Sequence, residues 1–371
     1  MVPVTTRLVA AADRGHAVKG LVLAGGRGSR LRPITFSMAK QLIPIANKPI
    51  IEYGLEDLVA AGVTDIGIVV SPETGAQIRK AVTRAADRIG FTPTFIVQEK
   101  PAGLAHALQT ALPFIDGDHC LMYLGDNLVK DGVADVVEAF ESGRANCQIL
   151  LSRVDDPTAF GVAELDDAGA VIRLIEKPKD PPSDLALVGV YLFDETISSA
   201  VAAIAPSARG EYEITDAIQH LIDTGSDVQS TIVSGWWKDT GTKDDLLSAQ
   251  HLVIADLTPE MSGQVAGSTT ITGSVRVGRD STLTDCTVTG PVVIGEGASL
   301  RSAVIGPYTS VGDGCEVIDA AIEDSIVMEG CRVTGWNLRA SVLGHDARLG
   351  PAGPNGPVEM TLGERSEVGA A

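Results

Sequence analysis

Short apolar runs alternate with segments of helical period through the first two thirds of the chain. The run Leu21–Ala24 is uninterrupted and leads into Gly25-Gly26, a pattern typical of a buried strand that enters a turn. Further strands are predicted at 66–70, 94–97, 120–124, 148–152 and 187–193, and helices at 50–61, 76–89 and 104–111. Strands that alternate with helices indicate an α/β domain with a mainly parallel sheet.

A different pattern begins near Val265, where aliphatic residues recur at intervals of six, six and five residues. The resulting 17-residue period gives three columns: Ile271, Val288, Ile305 and Ile322; Val277, Ile294, Val311 and Met328; and Leu283, Leu300 and Val317, the last interrupted by Thr334. A short fixed period predicts a solenoid. Three short strands per coil, with glycines at the corners, predict a triangular parallel β-helix.

These patterns divide the chain into four segments. Residues 1–18 are predicted as an N-terminal extension, 19–256 as the α/β domain and 262–350 as the β-helix. Residues 351–371, which contain three prolines within seven residues, are predicted as a loose tail.

Composition excludes several classes of protein. The chain has 371 residues, of which 44% are hydrophobic and 21% charged, which argues against a disordered chain. No apolar run approaches the length of a membrane span. Charged residues interrupt the first 20 positions, which argues against a secretory signal. The five cysteines form no CxxC pair and are predicted to be reduced thiols in a cytoplasmic protein.

The net charge of −19 argues against a nucleic-acid groove or an anionic membrane surface as a partner. The charge is uneven, however, because residues 19–48 contain no acidic side chain and six basic ones: Lys19, Arg27, Arg30, Arg32, Lys40 and Lys48. A basic, glycine-rich block inside an acidic protein indicates a local anion site.

The block 23–33 follows the first predicted strand, and open α/β sheets bind ligands beyond the carboxyl ends of their strands. Successive glycines let backbone N–H groups point into one hollow that suits phosphate, and arginine side chains add forked donors. The block is not a Walker A loop, since no Gly-Lys-Ser/Thr follows. It is not a dinucleotide fingerprint either, since Leu31 stands where the third glycine would be.

Three further charged residues lie where strands are predicted to end. Asp126 follows the strand 120–124, Asp239 lies in the segment 236–241, and Lys177 follows an alternating strand at 171–175. Magnesium prefers one or two carboxylates together with substrate phosphates. The two aspartates are therefore candidates for a magnesium site beside the phosphate hollow.

These residues occur in motifs that resemble the sugar-phosphate nucleotidylyltransferases, most closely the glucose-1-phosphate thymidylyltransferase branch. The motifs are Gly25-Gly-Arg-Gly-Ser-Arg-Leu-Arg-Pro33, Lys40-Gln-Leu-Ile-Pro44, Asn47-Lys-Pro49, Gln98 with Gly103-Leu-Ala105, Gly125-Asp-Asn127, Phe160-Gly-Val162, Glu176-Lys-Pro178, Gly210-Glu-Tyr-Glu-Ile-Thr-Asp216 and Lys238-Asp-Thr-Gly241. They cover residues 19–255 in the family's order. Phe160 is a departure, because short-form thymidylyltransferases usually have tyrosine there.

The resemblance implies a fold class, a reaction and partners. The fold is a Rossmann-like nucleotidyltransferase domain with a mainly parallel sheet, followed by a left-handed parallel β-helix, as in the long-form enzymes of actinobacterial deoxysugar and antibiotic pathways. The implied substrates are dTTP and glucose 1-phosphate, the products dTDP-glucose and pyrophosphate, and the cofactor Mg²⁺. A cytoplasmic homo-oligomer is expected, with no nucleic-acid or membrane partner.

The resemblance also implies a role for each site residue. Arg30 and Lys40 would hold the triphosphate and stabilise the leaving pyrophosphate, and Lys177 would grip the sugar phosphate. The remaining assignments are nucleotide binding by Gly25, Gly26, Gly28, Gln41, Gln98, Gly103 and Asp126; sugar binding by Gly161, Glu176, Leu187 and Glu211; and metal binding by Asp126 and Asp239.

Three alternatives stay open from the sequence. The same chemistry could act on another NTP or on another sugar or cyclitol phosphate. The β-helix could carry an acyltransferase with His345 as its base, because His345 is the histidine of the repeat. The chain could also be a catalytically silent paralogue that serves in assembly or regulation.

Overall fold

The computed structural model describes residues 17–351 and 353–369, so most of the predicted N-terminal extension lies outside the described residues. The α/β domain contains thirteen strands: β1 (Val18–Leu23), β2 (Pro44–Ile45), β3 (Lys48–Pro49), β4 (Asp65–Val70), β5 (Thr92–Val97), β6 (His119–Leu124), β7 (Asn127–Val129), β8 (Cys147–Arg153), β9 (Gly161–Leu165), β10 (Val171–Glu176), β11 (Leu185–Phe193), β12 (Val228–Ile232) and β13 (Trp237–Asp239). Its seven α-helices are α1 (Ile50–Ala60), α2 (Gly75–Ile89), α3 (Leu104–Ile115), α4 (Ala134–Ser142), α5 (Ile197–Ala203), α6 (Ile214–Asp223) and α7 (Lys243–Ala255).

The main sheet has nine strands, seven of them in the order β10-β9-β11-β6-β1-β4-β5, with β8 pairing β11 and β12. Strands β6, β1, β4 and β5 are parallel, as predicted. Strand β11 is antiparallel to both β6 and β8, which the pattern of apolar runs alone does not reveal. The carboxyl ends of the four parallel strands therefore meet at one edge, where ligands are expected.

Helices cover both faces of this sheet. Leu21 and Leu23 of β1 belong to the apolar layer formed with α3, α5 and α6, whereas Val22 and Ala24 belong to the layer formed with α1, α2 and α4. Because successive side chains of a strand point to opposite faces, an uninterrupted apolar run is what such a central strand requires.

The C-terminal third forms a three-sided stack of parallel strands, consistent with the left-handed β-helix that is predicted. Its strands are β14 (Glu260–Met261), β15 (Gln264–Ala266), β16 (Thr270–Thr272), β17 (Val275–Val277), β18 (Thr282–Thr284), β19 (Thr287–Thr289), β20 (Val292–Ile294), β21 (Ser299–Arg301), β22 (Val304–Ile305), β23 (Thr309–Val311), β24 (Glu316–Ile318), β25 (Ala321–Glu323), β26 (Ile326–Val327), β27 (Arg332–Thr334), β28 (Asn337–Arg339), β29 (Val342–Leu343), β30 (Arg348–Leu349), β31 (Thr361–Leu362) and β32 (Glu367–Val368). Each strand up to β27 pairs with the third strand after it, except that β28 ends its sheet, and β29 and β30 pair with β31 and β32, so each face is one sheet.

One predicted column is wrong at its end. Val327, not Met328, stacks on Val311, and Val333, not Thr334, stacks on Val317. The coil shortens from 17 to 16 residues after Ile322, which pairs with Leu338. Met328 instead joins an apolar cluster with the α/β domain. The next coil also has 16 residues, since Val327 pairs with Leu343. A strict 17-residue period therefore misplaces the first coil after Ile322 by one position and the following coil by two.

The predicted loose tail is also wrong in part. Thr361–Leu362 pairs with β29 and Glu367–Val368 pairs with β30, so the tail supplies strands of a further coil. The proline-containing segments 350–351 and 353–357 precede the paired residues of this coil and hide the repeat in the sequence.

The β-helix is fixed to the α/β domain through α7. The Gln250 side chain donates to the carbonyl oxygens of Tyr308 (2.8 Å) and Ser325 (3.0 Å) and accepts from the Ser310 hydroxyl (2.7 Å). Asn47 donates to the Val311 carbonyl oxygen at 2.8 Å. Within the described part of the chain, no helix has the length and apolar character that crossing a membrane requires.

The half-buried carboxyl of Asp57, on α1, is expected to make the free energy of unfolding depend on pH. Burial is the main cause that raises the pKa of its carboxyl to about 6, although the Tyr123 hydroxyl donates a hydrogen bond to it at 3.0 Å. The folded state therefore holds a proton that the unfolded state loses, and the free energy of unfolding falls as pH rises from about 4 to 6. The expected size is about 2–3 kcal/mol.

Replacing Asp57 by asparagine should remove this dependence. We expect the free energy of unfolding of D57N, measured in urea from pH 4 to 7, to rise relative to the unsubstituted protein as pH increases. Y123F should show a steeper decline than the unsubstituted protein, because it lacks the donor that stabilises the ionised carboxylate. Parallel curves for all three proteins would contradict the shifted titration.

Candidate functional site

A glycine-lined turn follows β1 at the carboxyl edge of the sheet. Gly28 has a φ of 59°, and a β-carbon there would lie 2.9 Å from Cβ of Lys40, so only glycine fits without strain. A β-carbon on Gly26 would meet just one described group within 4 Å, the Gln41 amide, at 3.5 Å. The backbone at Gly26 therefore borders open space, as a phosphate-binding turn requires.

The two candidate metal ligands are brought together by a separate small sheet. Strands β7 and β13 pair antiparallel, with Asp239 opposite Asn127, and so Asp126 lies beside Asp239. The Thr240 backbone N–H and hydroxyl both donate to the carbonyl oxygen of Asp126, at 3.2 and 2.8 Å. More than a hundred residues separate the aspartates in sequence, so strand pairing, not local structure, creates the pair.

Lys40 lies between these two carboxylates. It follows the glycine turn in a short 3-10 helix, is buried, and its ammonium group pairs with Asp126 and lies 3.6 Å from Oδ1 of Asp239. Burial alone would lower the pKa of Lys40, but the charges of Asp126 and Asp239 overcome this and raise it. Lys40 is therefore held as a cation against the anionic pair.

A single lysine does not neutralise both carboxylates. Burial, and secondly the charge of Asp126, raise the pKa of Asp239 to about 6. Its Oδ1 atom is buried and receives no hydrogen bond from any described residue. The described residues contain no group of three or more His, Cys, Asp or Glu side chains arranged for a metal. Two carboxylates with an unsatisfied oxygen fit Mg²⁺ whose other ligands come from phosphates and water.

The charged cluster opens into a cleft of about 730 Å³. Arg30 and Lys177 line it together with Asp239, Phe160 and Trp237. Of the basic block, Arg27 instead pairs with Glu73, Lys48 with Glu56 and Lys19 with Asp118, while Arg32 stacks on the exposed Phe36 ring. Arg30, Lys177 and Lys238 are the cations that line the cleft, and Lys238 is paired with Asp245 at 2.8 Å. Lys40 does not line the cleft but contacts the acidic pair.

A smaller pocket of about 140 Å³ continues from this cleft, since Phe160, Lys177 and Asp239 line both. Three of the predicted sugar-binding residues line it: Gly161, Glu176 and Leu187. Glu211 is not among its lining residues, and its carboxylate pairs instead with Arg209 at 3.3 Å. The structure thus brings three of these four residues to one pocket.

The predicted base-binding residues line neither the cleft nor the smaller pocket. Gln98 follows β5, and its Oε1 atom is 3.5 Å from the position that a β-carbon on Gly25 would take. Gly103 has a φ of 104°, and a β-carbon there would collide with the Tyr212 carbonyl oxygen at 2.4 Å. Gln41 is buried, with its Oε1 atom unsatisfied within the described residues.

Some residues of the site carry no strong signal in the sequence. Asn127 donates to Oδ1 of Asp126 at 3.0 Å and accepts from the Trp237 indole N–H at 2.6 Å, so it orients that carboxylate. Arg209 donates to Oε1 of Glu176 at 3.1 Å. Asn127 belongs to the motif 125–127, but its contact with Trp237 depends on the pairing of β7 with β13. Arg209 is a basic residue just before the acidic motif 210–216, and the sequence gives no other indication of its role.

His345 lines a different cavity from the charged cluster. It lines a cavity between α2 and the corners of the β-helix, together with Lys80, Arg84 and Glu329. The lining of this cavity is disjoint from that of the cleft that holds Arg30 and Lys177.

Comparisons with known proteins identify the family of the chain. The nucleotidyl transferase family matches residues 19–255, and the chain belongs to that family. The glucose-1-phosphate thymidylyltransferases of Streptomyces antibioticus and Streptomyces griseus are each 46% identical to it, over 95% of this chain and 99% of theirs.

Solved structures agree over the α/β domain. A Bacillus anthracis protein crystallised with sucrose, and described as a candidate glucose-1-phosphate thymidylyltransferase, is 37% identical with a TM-score of 0.60, covering 64% of this chain and 95% of that one. A UDP-glucose pyrophosphorylase solved with UDP-glucose is 21% identical with a TM-score of 0.59, covering 65% of this chain and all of its own, and shows the shared fold alone.

Proposed function

We propose that this protein transfers a thymidylyl group from dTTP to glucose 1-phosphate, giving dTDP-glucose and pyrophosphate. The observation that carries the proposal is the cluster of Lys40, Asp126 and Asp239, of which Asp239 lines a cleft together with Arg30 and Lys177. A cleft with this charge pattern suits two phosphorylated substrates and a divalent cation. The names of the full-length Streptomyces relatives support the choice of nucleotide and sugar.

The nucleotide would lie along the glycine turn. Backbone N–H groups at Gly25, Gly26 and Gly28 approach the phosphates, where side chains would exclude them. Arg30 and Lys40 hold the triphosphate and neutralise charge as it moves to the pyrophosphate. Gln98 and Gly103 contact the base, with Gln41 beside them.

The sugar phosphate would occupy the pocket that continues from the cleft. Lys177 grips its phosphate, and Gly161, Glu176 and Leu187 surround the sugar ring. Glu211 would act at a distance, through Arg209, which contacts both Glu211 and Glu176.

Asp126 and Asp239 would hold Mg²⁺, which when bound neutralises phosphate charge and aligns the groups that react. The chain's own residues position two anions so that a sugar-phosphate oxygen attacks the α-phosphorus opposite the leaving pyrophosphate. A P–O bond forms to the sugar phosphate as the bond to pyrophosphate breaks, so no covalent enzyme intermediate is required.

The direct test measures pyrophosphate release with a panel of NTPs and sugar phosphates. We expect release from dTTP with glucose 1-phosphate, no release when either is omitted, and loss of activity in EDTA that excess Mg²⁺ restores. Release only with another nucleotide or sugar phosphate would replace the substrate assignment. No release with any pair would favour a catalytically silent chain.

The remaining expectations follow from the same proposal. We infer a cytoplasmic enzyme that supplies an activated sugar for deoxysugar, antibiotic or cell-surface biosynthesis. The β-helix, with its flat faces, would support a homo-oligomer, and light scattering of the full chain measures this.

An added acyltransferase with His345 as its base remains the alternative role for the β-helix. Acetyl-CoA turnover that is lost in H345A and kept in D126A would establish it.

A further inference from the structure

Gln98 lies beside a histidine that the resemblance does not assign to the site. Its amide nitrogen Nε2 is 2.9 Å from Nδ1 of His106, in the first turn of α3, and 3.4 Å from the Gly103 carbonyl oxygen. The Gln98 side chain is buried, so its amide has few other partners. The His106 ring in turn lies against Tyr212, with ring centroids 6.2 Å apart.

These contacts fix which end of the carboxamide faces the nucleotide. The Gly103 carbonyl can only accept, so the nitrogen end of the Gln98 amide must face it. The same nitrogen then donates to Nδ1 of His106, which requires a neutral ring with its proton on Nε2. The oxygen end is turned toward Gly25 and the glycine turn.

We propose that His106 is a positioning residue that holds the Gln98 oxygen toward the base and so selects a pyrimidine with a ring N–H over cytosine. The inference rests on the proposed function, in which Gln98 reads the base. Thymine and uracil present a donor at N3, which matches an acceptor oxygen. Cytosine presents an acceptor at N3, so that two acceptors, cytosine N3 and the Gln98 oxygen, would face each other.

Loss of the Nδ1 acceptor should loosen this selection. Without His106, the longer contact with the Gly103 carbonyl oxygen is what remains to orient the Gln98 amide. A rotation of 180° about the Cγ–Cδ bond of Gln98 would then present the amide nitrogen to the base. Asparagine at position 106 restores an acceptor, because its Oδ1 is as many bonds from the backbone as Nδ1 of histidine. His106→Asn is therefore the conservative rescue, and His106→Ala is the disruption.

The experiment measures Kd for dTTP and for dCTP with Mg²⁺, using the full-length protein and the variants H106A, H106N and Q109A. Gln109 is exposed on the same helix and serves as the control. The unsubstituted protein, Q109A and H106N should prefer dTTP. In H106A, the ratio of the Kd for dCTP to the Kd for dTTP should fall by about fivefold to 100-fold, which is the cost of one mismatched buried hydrogen bond.

An equal loss of affinity for both nucleotides in H106A would show a merely structural role and overturn the proposal. An unchanged preference in H106A would do the same. If the unsubstituted protein does not prefer dTTP over dCTP, the base assignment under the proposed function fails, and the role of His106 fails with it. That outcome is visible without any variant, so the two failures are distinguishable.

Discussion

Replacing Asp126 by asparagine is expected to lower kcat for pyrophosphate release by about 10²–10³-fold, the usual cost of losing one electrostatic contribution to the transition state, because Asp126 would hold the cation that neutralises the phosphates. Asp126 pairs with Lys40 and faces the same space as Asp239, so its loss disturbs the lysine and the cation site together. Asparagine keeps the shape and the hydrogen bond to its neighbour, so the effect reports on charge.

Steady-state kinetics with dTTP and glucose 1-phosphate measure this effect. D135N is the matched control, because Asp135 is an exposed aspartate nine residues further along the chain, and the control should retain full activity. The thermal stability of D126N should remain near that of the unsubstituted protein. Activity of D126N within tenfold of the native rate would mean that the acidic pair is not part of the catalytic centre.

The second large effect is expected at Lys177, which lines both the charged cleft and the smaller pocket. Its backbone N–H donates to the Phe160 carbonyl oxygen at 2.9 Å, and its φ is 43°. These features fix the start of the side chain while leaving its ammonium group exposed. Such a lysine is placed to meet a phosphate that enters from solvent.

Lys177→Ala should raise KM for glucose 1-phosphate by about 10–100-fold, as expected for a hydrogen bond to a charged group. The Kd for dTTP, measured separately by titration, should change little. K179A removes an exposed lysine two residues away and serves as the control. Equal losses in sugar-phosphate and nucleotide binding would contradict the assignment of Lys177 to the sugar phosphate.

Much of the fold could be predicted from the apolar pattern. Uninterrupted runs such as Leu21–Ala24 define central strands, and the 17-residue period defines the β-helix. The antiparallel insertion of β11 could not be predicted, because a buried run does not reveal its direction. The one-residue deletion after Ile322 and the return of the tail to the stack were missed because each breaks the period.

The residues of the site could be predicted from separate motifs, but most of the contacts between them could not. The glycine turn and Lys40 lie in one stretch, residues 25–40, and their motifs are recognisable as they stand. The meeting of Asp126 with Asp239 depends on β7 pairing with β13, and the support from Asn127 and Arg209 depends on side-chain contacts. Apart from the hydrogen bond between the neighbours Asn127 and Asp126, those contacts join residues far apart in the chain, and composition or spacing does not encode them.

The most direct test of the central claim is a crystal structure of the full chain with dTTP, Mg²⁺ and glucose 1-phosphate. We predict a divalent cation bonded to carboxylate oxygens of both Asp126 and Asp239, with the triphosphate against the glycine turn and the sugar phosphate at Lys177. A nucleotide bound elsewhere, or a cation that contacts neither aspartate, would contradict the account.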